Sequence, residues 1–281
     1  MKVIALGDNV IDYYRNTGEC FPGGNAVNVA VHAARQGAES EYLGNLGTDA
    51  YAEVIVRALD EFHVAHSHCP VLVGKTTKVC NYEVTDGERS FVSVVTGPDW
   101  AGPIQLSEEN LRYLSGADLI ACSCNAKMPE QVRRVQELPP VFVYDFGEKE
   151  KYRTEEYYDQ VCGHIDLAMF SCRPMGEEEF REFCRPLHGR GVVHVLATIG
   201  AEGQLLSAGG RIVKKDVQKI VPSDTMGAGD SFLAAFLNTL MQFGWQKNRQ
   251  MPEKALSAAV QAGQKASAEN CMRQGGFGVK A

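Results

Sequence analysis

The chain has 281 residues, 44% of them hydrophobic and 22% charged, with a formal net charge of −7. This length can bury a large core in one domain, and the composition excludes a mainly disordered protein. An acidic balance without any Lys/Arg-rich block excludes a nucleic-acid surface, while a small anionic ligand needs only a local positive site.

In chain order, MKVIALGDNVIDYY opens as a buried strand at residues 2–8 and lacks the basic start and apolar core of a signal peptide. NAVNVAVHAARQGA (25–38) places Ala and Val at helical spacing and ends at Gly37. EYLGNLG (41–47) reads as a second strand and DAYAEVIVRALDEFHV (49–64) as a second helix. From Val71 to Val95 no helix is readable, and Asp86-Gly87 between alternating runs signals a hairpin, so this segment is expected to form antiparallel strands outside the main sheet. DLIACSC (118–124), VFVYDF (141–146), DLAMFS (166–171) and VVHVLATIG (192–200) are apolar runs separated by polar or helical segments. This alternation predicts an α/β fold with a doubly wound, mostly parallel sheet covered by helices on both faces. No apolar run reaches the ~18 residues of a membrane span. The nine cysteines are an odd number without regular spacing, and Cys122 and Cys124 alternate as strand residues do. They read as reduced, buried thiols of a cytoplasmic protein.

The stretch PSDTMGAGDSF (222–232) sets Gly227, Ala228 and Gly229 before an apolar helix face of Phe232, Ala235, Phe236 and Leu240. It is neither Gly-x-Gly-x-x-Gly nor a Walker loop. Unpaired N–H groups at a helix N-terminus favour an anion, and glycines let a phosphate approach them. An acid directly beside that hole, Asp230, makes sense if it meets a hydroxyl that attacks the phosphate. The same residues read equally well as a glycine-rich turn in which Asp230 caps the helix.

Asp224-Thr-Met-Gly-Ala-Gly-Asp230-Ser-Phe resembles the C-terminal signature of the ribokinase/phosphofructokinase-B carbohydrate kinases. FPGGNAVNVAVHAARQGA (21–38) resembles the family's sugar-binding Gly-Gly motif, and GDNVID (7–12), taken as the end of the first strand, resembles the stretch whose final Asp binds sugar hydroxyls. LATIGAEG (196–203) is similar to the strand end that carries the adenine nucleotide. The resemblance spans essentially the whole chain. It implies one ribokinase-like kinase domain over 1–281, with a β-rich lid formed by about 12–22 and 70–97, and ATP and Mg²⁺ as cofactors. By position, Asp230 is the catalytic base and Gly227, Ala228 and Gly229 form the anion hole. Asp12, Gly23, Gly24 and Asn28 bind the sugar, joined by Arg89 on the lid, although an Arg beside Glu88 also suits a plain surface. Thr198, Gly200 and Gly203 bind ATP. Asp224 matches the family position for a monovalent cation such as K⁺, with the Met226 carbonyl and the Gly275 region as co-ligands. The family's Asn-x-x-Glu is altered: RPMGEEEF (173–180) has Gly176 in place of the Asn and Glu179 as the Glu, so Glu179 is either a Mg²⁺ organiser or a solvated acid at a helix start.

Within the family, GDNVIDYY, VFVYDFGEK (141–149) and SDTMGAGDSF resemble bacterial members that phosphorylate fructosyl-amino acids. The resemblance implies transfer to the 6-hydroxyl of a fructosamine such as fructoselysine. A plain sugar (fructose, ribose) or a nucleoside is the alternative acceptor, and a non-catalytic sugar sensor the alternative class. A homodimer through the lid is also implied. Three patterns are set aside. Asp145-Phe146-Gly147 lacks the other protein-kinase motifs, and Gly74-Lys75-Thr76 lacks the first Walker glycine. His63, His66, His68 and Cys69 lack a second zinc-ligand pair at standard spacing.

Overall fold

Strands that are apolar at nearly every position must be covered on both faces, and the computed structural model shows how this chain does it. It describes residues 1–85 and 88–281, and side chains outside 84–89. The main sheet has eight strands: β1 (Lys2–Leu6), β4 (Glu39–Leu43), β7 (Leu119–Ser123), β8 (Val141–Asp145), β9 (Leu167–Ser171), β10 (His194–Thr198), β11 (Gln204–Ala208) and β12 (Arg211–Lys215). Their order is β12-β11-β10-β9-β8-β7-β1-β4. From β4 to β10 every pairing is parallel, and β11 and β12 close the edge as antiparallel strands.

Successive side chains of a strand point to opposite faces. Val3, Ala5, Leu119, Val143 and Met169 accordingly pack against α1 (Asn25–Arg35), α2 (Ala50–Glu61), α7 (Ala228–Gln242) and α8 (Glu253–Asn270). Their neighbours Ile4, Leu6, Ile120, Phe142, Tyr144 and Phe170 pack against α3 (Glu108–Leu114), α4 (Pro129–Gln136), α5 (Glu155–Val161) and α6 (Glu177–Gly189).

A second sheet holds β2 (Val10–Tyr14), β3 (Glu19–Gly23), β5 (Lys78–Thr85) and β6 (Glu88–Val95) in the order β3-β2-β5-β6. Two expectations change here. GDNVID does not end the first strand: β1 stops at Leu6, and Asp12 lies in the middle of β2 in this other sheet. The chain from Val71 to Thr77 is not part of the second sheet, and β5 joins β2 in parallel before pairing antiparallel with β6. The Asp86-Gly87 turn lies outside the described residues. Tyr14 and Phe21 from this sheet pack on Met226, which ties it to the loop before α7.

Candidate active site

Helix α7 begins after Gly227, whose φ of +71° is left-handed. A Cβ there would fall 2.2 Å from the Gly276 carbonyl, so glycine is required twice over. Asp230 occupies the first turn of α7, not its cap position. Its carboxylate accepts hydrogen bonds from Asn25 Nδ2 to Oδ1 at 2.6 Å and from Asn28 Nδ2 to Oδ2 at 2.7 Å. The capping alternative is thereby replaced: this acid is held by two amides of α1, the helix that follows Gly23-Gly24. Of the three anion-hole residues, Ala228 already gives its N–H to the Thr225 carbonyl at 3.2 Å, whereas Gly229 is exposed at the open end of the helix.

Asp12 is buried, and its Oδ2 would lie 2.3 Å from a Cβ at Gly23; only a glycine lets the β3 backbone come so close to that carboxylate. Asn28 is also buried, and its Oδ1 has no partner after Nδ2 goes to Asp230. Asp12, Gly23, Asn28 and Asp230 therefore form one continuous polar wall. Gly24 caps α1 with its backbone against Asp8 and Asn9. The Arg89 side chain lies outside the described residues.

Two residues outside the sequence-derived set belong to this wall. Asn25 Nδ2 also reaches Asp145 Oδ2 at 3.0 Å, so one amide joins two acids. Asp145 ends β8 and accepts the Gly147 N–H at 2.8 Å. Burial raises its carboxyl above the usual carboxylate range, opposed by the Gly147 N–H, the Asn25 amide and the charge of Arg153. An acid at the carboxyl end of a continuous apolar strand was the available signal, since ligands of such sheets collect there.

Asp224 is buried and hydrogen-bonded through both oxygens. It accepts from Tyr14 Oη at 2.5 Å, Met226 N–H at 2.9 Å and Gly275 N–H at 2.8 Å, while the Met226 carbonyl takes Asn270 Nδ2 at 2.8 Å. In this structure Asp224 staples the loop, with one donor on Oδ1 and two on Oδ2. Glu179 stands in the first turn of α6 and pairs with Arg173, both well exposed. Among the described residues no three His, Cys, Asp or Glu side chains gather as a metal site. Thr198, Gly200 and Gly203 lie at the carboxyl end of β10, the same end of the sheet as Asp145, around a short turn at Gly200–Glu202.

The patterns set aside also have places. Lys75 pairs with Asp99 at 3.4 Å. His66 meets Asp60 at 3.0 Å, His68 stacks on Tyr113, and Cys69 bonds the Tyr42 carbonyl.

Residues 2–277 match the family model for pfkB family carbohydrate kinases. The chain is 32% identical over 279 residues to a fructosamine kinase of Bacillus subtilis, covering 99% of this chain and 93% of that protein. It is 29% identical over 256 residues to the fructoselysine 6-kinase of Escherichia coli, covering 90% and 93%. Among solved structures, a fructokinase with bound ATP from Xylella fastidiosa superposes with a TM-score of 0.79 at 19% identity, covering 98% of this chain and 94% of that one. Arabidopsis thaliana ribokinase complexed with ribose and ATP gives a TM-score of 0.78 at 20% identity, covering 98% and 93%.

Proposed function

Since the chain belongs to the pfkB family of carbohydrate kinases, and is an ATP-dependent kinase with its relatives, we propose that it phosphorylates the 6-hydroxyl of a fructosamine, with fructoselysine as the leading acceptor. The observation that carries the site assignment is the Asp230 carboxylate, held by Asn25 and Asn28 at the N-terminus of α7. Support for the acceptor comes from the two relatives whose names specify fructosamine chemistry and which align with nearly the whole chain.

In this reading the acceptor lies along the wall from Asp12 to Asp230, its ring hydroxyls bonded to Asp12 and Asn28 and its terminal hydroxyl against Asp230. The new O–P bond forms as the bond from the γ-phosphorus to the bridging oxygen of ATP breaks, and the hydroxyl proton passes to Asp230 and then to water. A carboxylate is a weak base for an alcohol. That suffices in a loose phosphoryl-transfer transition state, where alignment and charge neutralisation supply most of the acceleration. Asn25 and Asn28 fix the carboxylate's orientation. The N-terminal N–H groups of α7, Gly229 foremost, face the developing negative charge. ATP lies toward Thr198, Gly200 and Gly203, and Mg²⁺ arrives on its phosphates. K⁺ would be held by Asp224 with the Met226 carbonyl and the Gly275 region, and would supply fixed positive charge beside the α7 loop; equal activity in K⁺, in Na⁺ and without either removes that part of the reading.

The strand β6 forms the edge of the second sheet and exposes Phe91, Val94 and Val95, which supports a homodimer through a lid. Sedimentation across a concentration series tests it. Nine unpaired thiols, and the lack of any helix among the described residues long and apolar enough to cross a membrane, support a cytoplasmic location. An ATP-coupled assay over fructoselysine, other fructosyl-amino acids, fructose and ribose tests the acceptor. Turnover of free fructose with none of any fructosamine refutes it.

A further inference from the structure

The Asp8 carboxylate lies at the start of the connection from β1 to β2 and is nine-tenths buried, at 9% side-chain exposure. Its Oδ1 has no hydrogen-bond partner. Its Oδ2 is 3.7 Å from Lys78 Nζ, beyond hydrogen-bond distance, and the Lys78 side chain is itself only 7% exposed. A buried carboxylate oxygen with no hydrogen-bond partner is costly, and Oδ1 is open to a donor from outside the chain while Oδ2 is paired with Lys78.

The neighbouring groups show what that donor is attached to. Trp100 and Asp8 line one crevice. Lys78 Nζ sits 5.8 Å from the Trp100 ring centroid and Lys127 Nζ 5.0 Å from the same ring. Two ammonium groups thus share one indole face region. Lys127 has a φ of +54°, a left-handed conformation unusual for a side-chain-bearing residue, and follows the short turn after β7. Among the described residues no carboxylate lies within 4 Å of Lys127 Nζ. Burial first, then the nearby charges of Lys78 and Lys151, lower its pKa, and the Asp8 charge opposes them in part.

The register of the second sheet relates this crevice to the wall already described. On paired strands, partners point to the same face, and Val10, Asp12 and Tyr14 pair with Lys78, Cys80 and Tyr82. Tyr14 stands over Asp224 beside the α7 loop, Asp12 stands over Gly23, and Lys78 is one further step, about 7 Å, along the same face. The Cys80 thiol feels the charges of both Asp12 and Asp8. A ketose with its 6-hydroxyl at Asp230 and its ring at Asp12 therefore directs its carbon-1 substituent toward Lys78 and Asp8.

We propose that the mouth of the crevice lined by Asp8 and Trp100, flanked by Lys78 and Lys127 at the indole ring, holds the amino-acid part of the acceptor, with a substrate ammonium on Asp8 and the carboxylate between Lys78 and Lys127. This assignment rests on the fructosamine reading and adds what that reading lacks, the residues that distinguish a fructosamine from fructose.

The test compares kcat/KM for fructoselysine, for its decarboxylated counterpart fructosyl-cadaverine, and for fructose, in the wild type, Lys127→Gln and Asp8→Asn. The wild type is expected to favour fructoselysine over fructosyl-cadaverine by roughly tenfold or more. Lys127→Gln, at an exposed position where folding is not in question, should reduce that preference to less than about threefold, through KM with kcat little moved. Asp8→Asn should raise KM for both amines more than for fructose; its melting temperature is measured alongside, because it leaves Lys78 without a counter-charge. Equal wild-type kcat/KM for fructoselysine and fructosyl-cadaverine, or a preference unchanged in Lys127→Gln, overturns the crevice assignment and leaves the fructosamine reading intact. A wild type that turns over no fructosamine overturns that reading itself.

Discussion

Asn25 Nδ2 donates a 2.6 Å hydrogen bond to Asp230 Oδ1 across 205 positions of the chain, and the same nitrogen lies 3.0 Å from Asp145 Oδ2. The first residue of α1 therefore positions the acid at the start of α7 against the end of β8. In the proposed reading Asn25 is a positioning residue: it touches Asp230, and Asp230 as the base would touch the acceptor.

Two substitutions separate these roles. Asp230→Ala removes the proton acceptor and should lower kcat by about 10²–10⁴-fold, with acceptor and ATP still binding in calorimetry. Asn25→Ala frees the carboxylate to rotate and leaves buried Asp145 without its amide. A smaller loss is expected, on the order of 10–100-fold, mainly in kcat. Wild-type rates in Asp230→Ala would show that the base is elsewhere.

Gly227→Ala tests the start of α7. The added methyl meets the Gly276 carbonyl at 2.2 Å, against backbone that has no side chain to move aside, and the left-handed φ adds about 1–2 kcal/mol of strain. Both stability and turnover should fall together, read as a lower denaturation midpoint and a kcat loss. An unchanged midpoint would mean that the loop before α7 shifts freely, contrary to the staple at Asp224.

Much of this site was legible because its signals are local. Glycines before an apolar helix face announced the N-terminus of α7, and the Gly-Gly preceding NAVNVAV announced α1. The wall between them was not legible, since the Asn25 link to Asp145 depends on how β8 registers beside β7, which no short pattern records. The end of β1 was missed for a related reason. GDNVID continues the apolar alternation through Val10 and Ile11, and only tertiary pairing decides that those residues join β5 instead of prolonging β1. Glu179 was readable as a motif position, and it stands in the first turn of α6 in an exposed ion pair with Arg173.

The link between the second sheet and the α7 loop is Tyr14 on Asp224. Tyr14→Phe leaves that buried carboxylate with its two backbone donors and should cost about 1–3 kcal/mol. Asp224→Asn should cost more, because an amide NH₂ then faces the N–H of either Met226 or Gly275, donor against donor. Urea denaturation of both variants gives the order, and a milder Asp224→Asn would mean that the loop is held by its packing on Phe21 instead.

Two buried histidines predict the acid limit of stability. Burial lowers His32 to about 4, although its Nε2 bonds the Gly276 carbonyl, and lowers His194 to about 4 as well. His194 Nε2 accepts the Met251 N–H at 3.1 Å, a bond only the neutral ring makes. Each ring binds its proton more readily in the unfolded chain, near 6.5, than in the folded one. Their contribution is therefore complete above pH 6.5 and is lost as pH falls toward 4, on the order of 3 kcal/mol for each. Asp145 and Asp166, whose carboxyls burial raises, work in the other direction and offset part of the loss between pH 6.5 and 4. Denaturant midpoints measured at intervals across that window should fall steadily. In His194→Gln, whose side-chain oxygen can still accept from Met251, the fall should be shallower. A flat profile in the wild type would mean that both rings take up their protons as readily in the folded protein as in the unfolded chain.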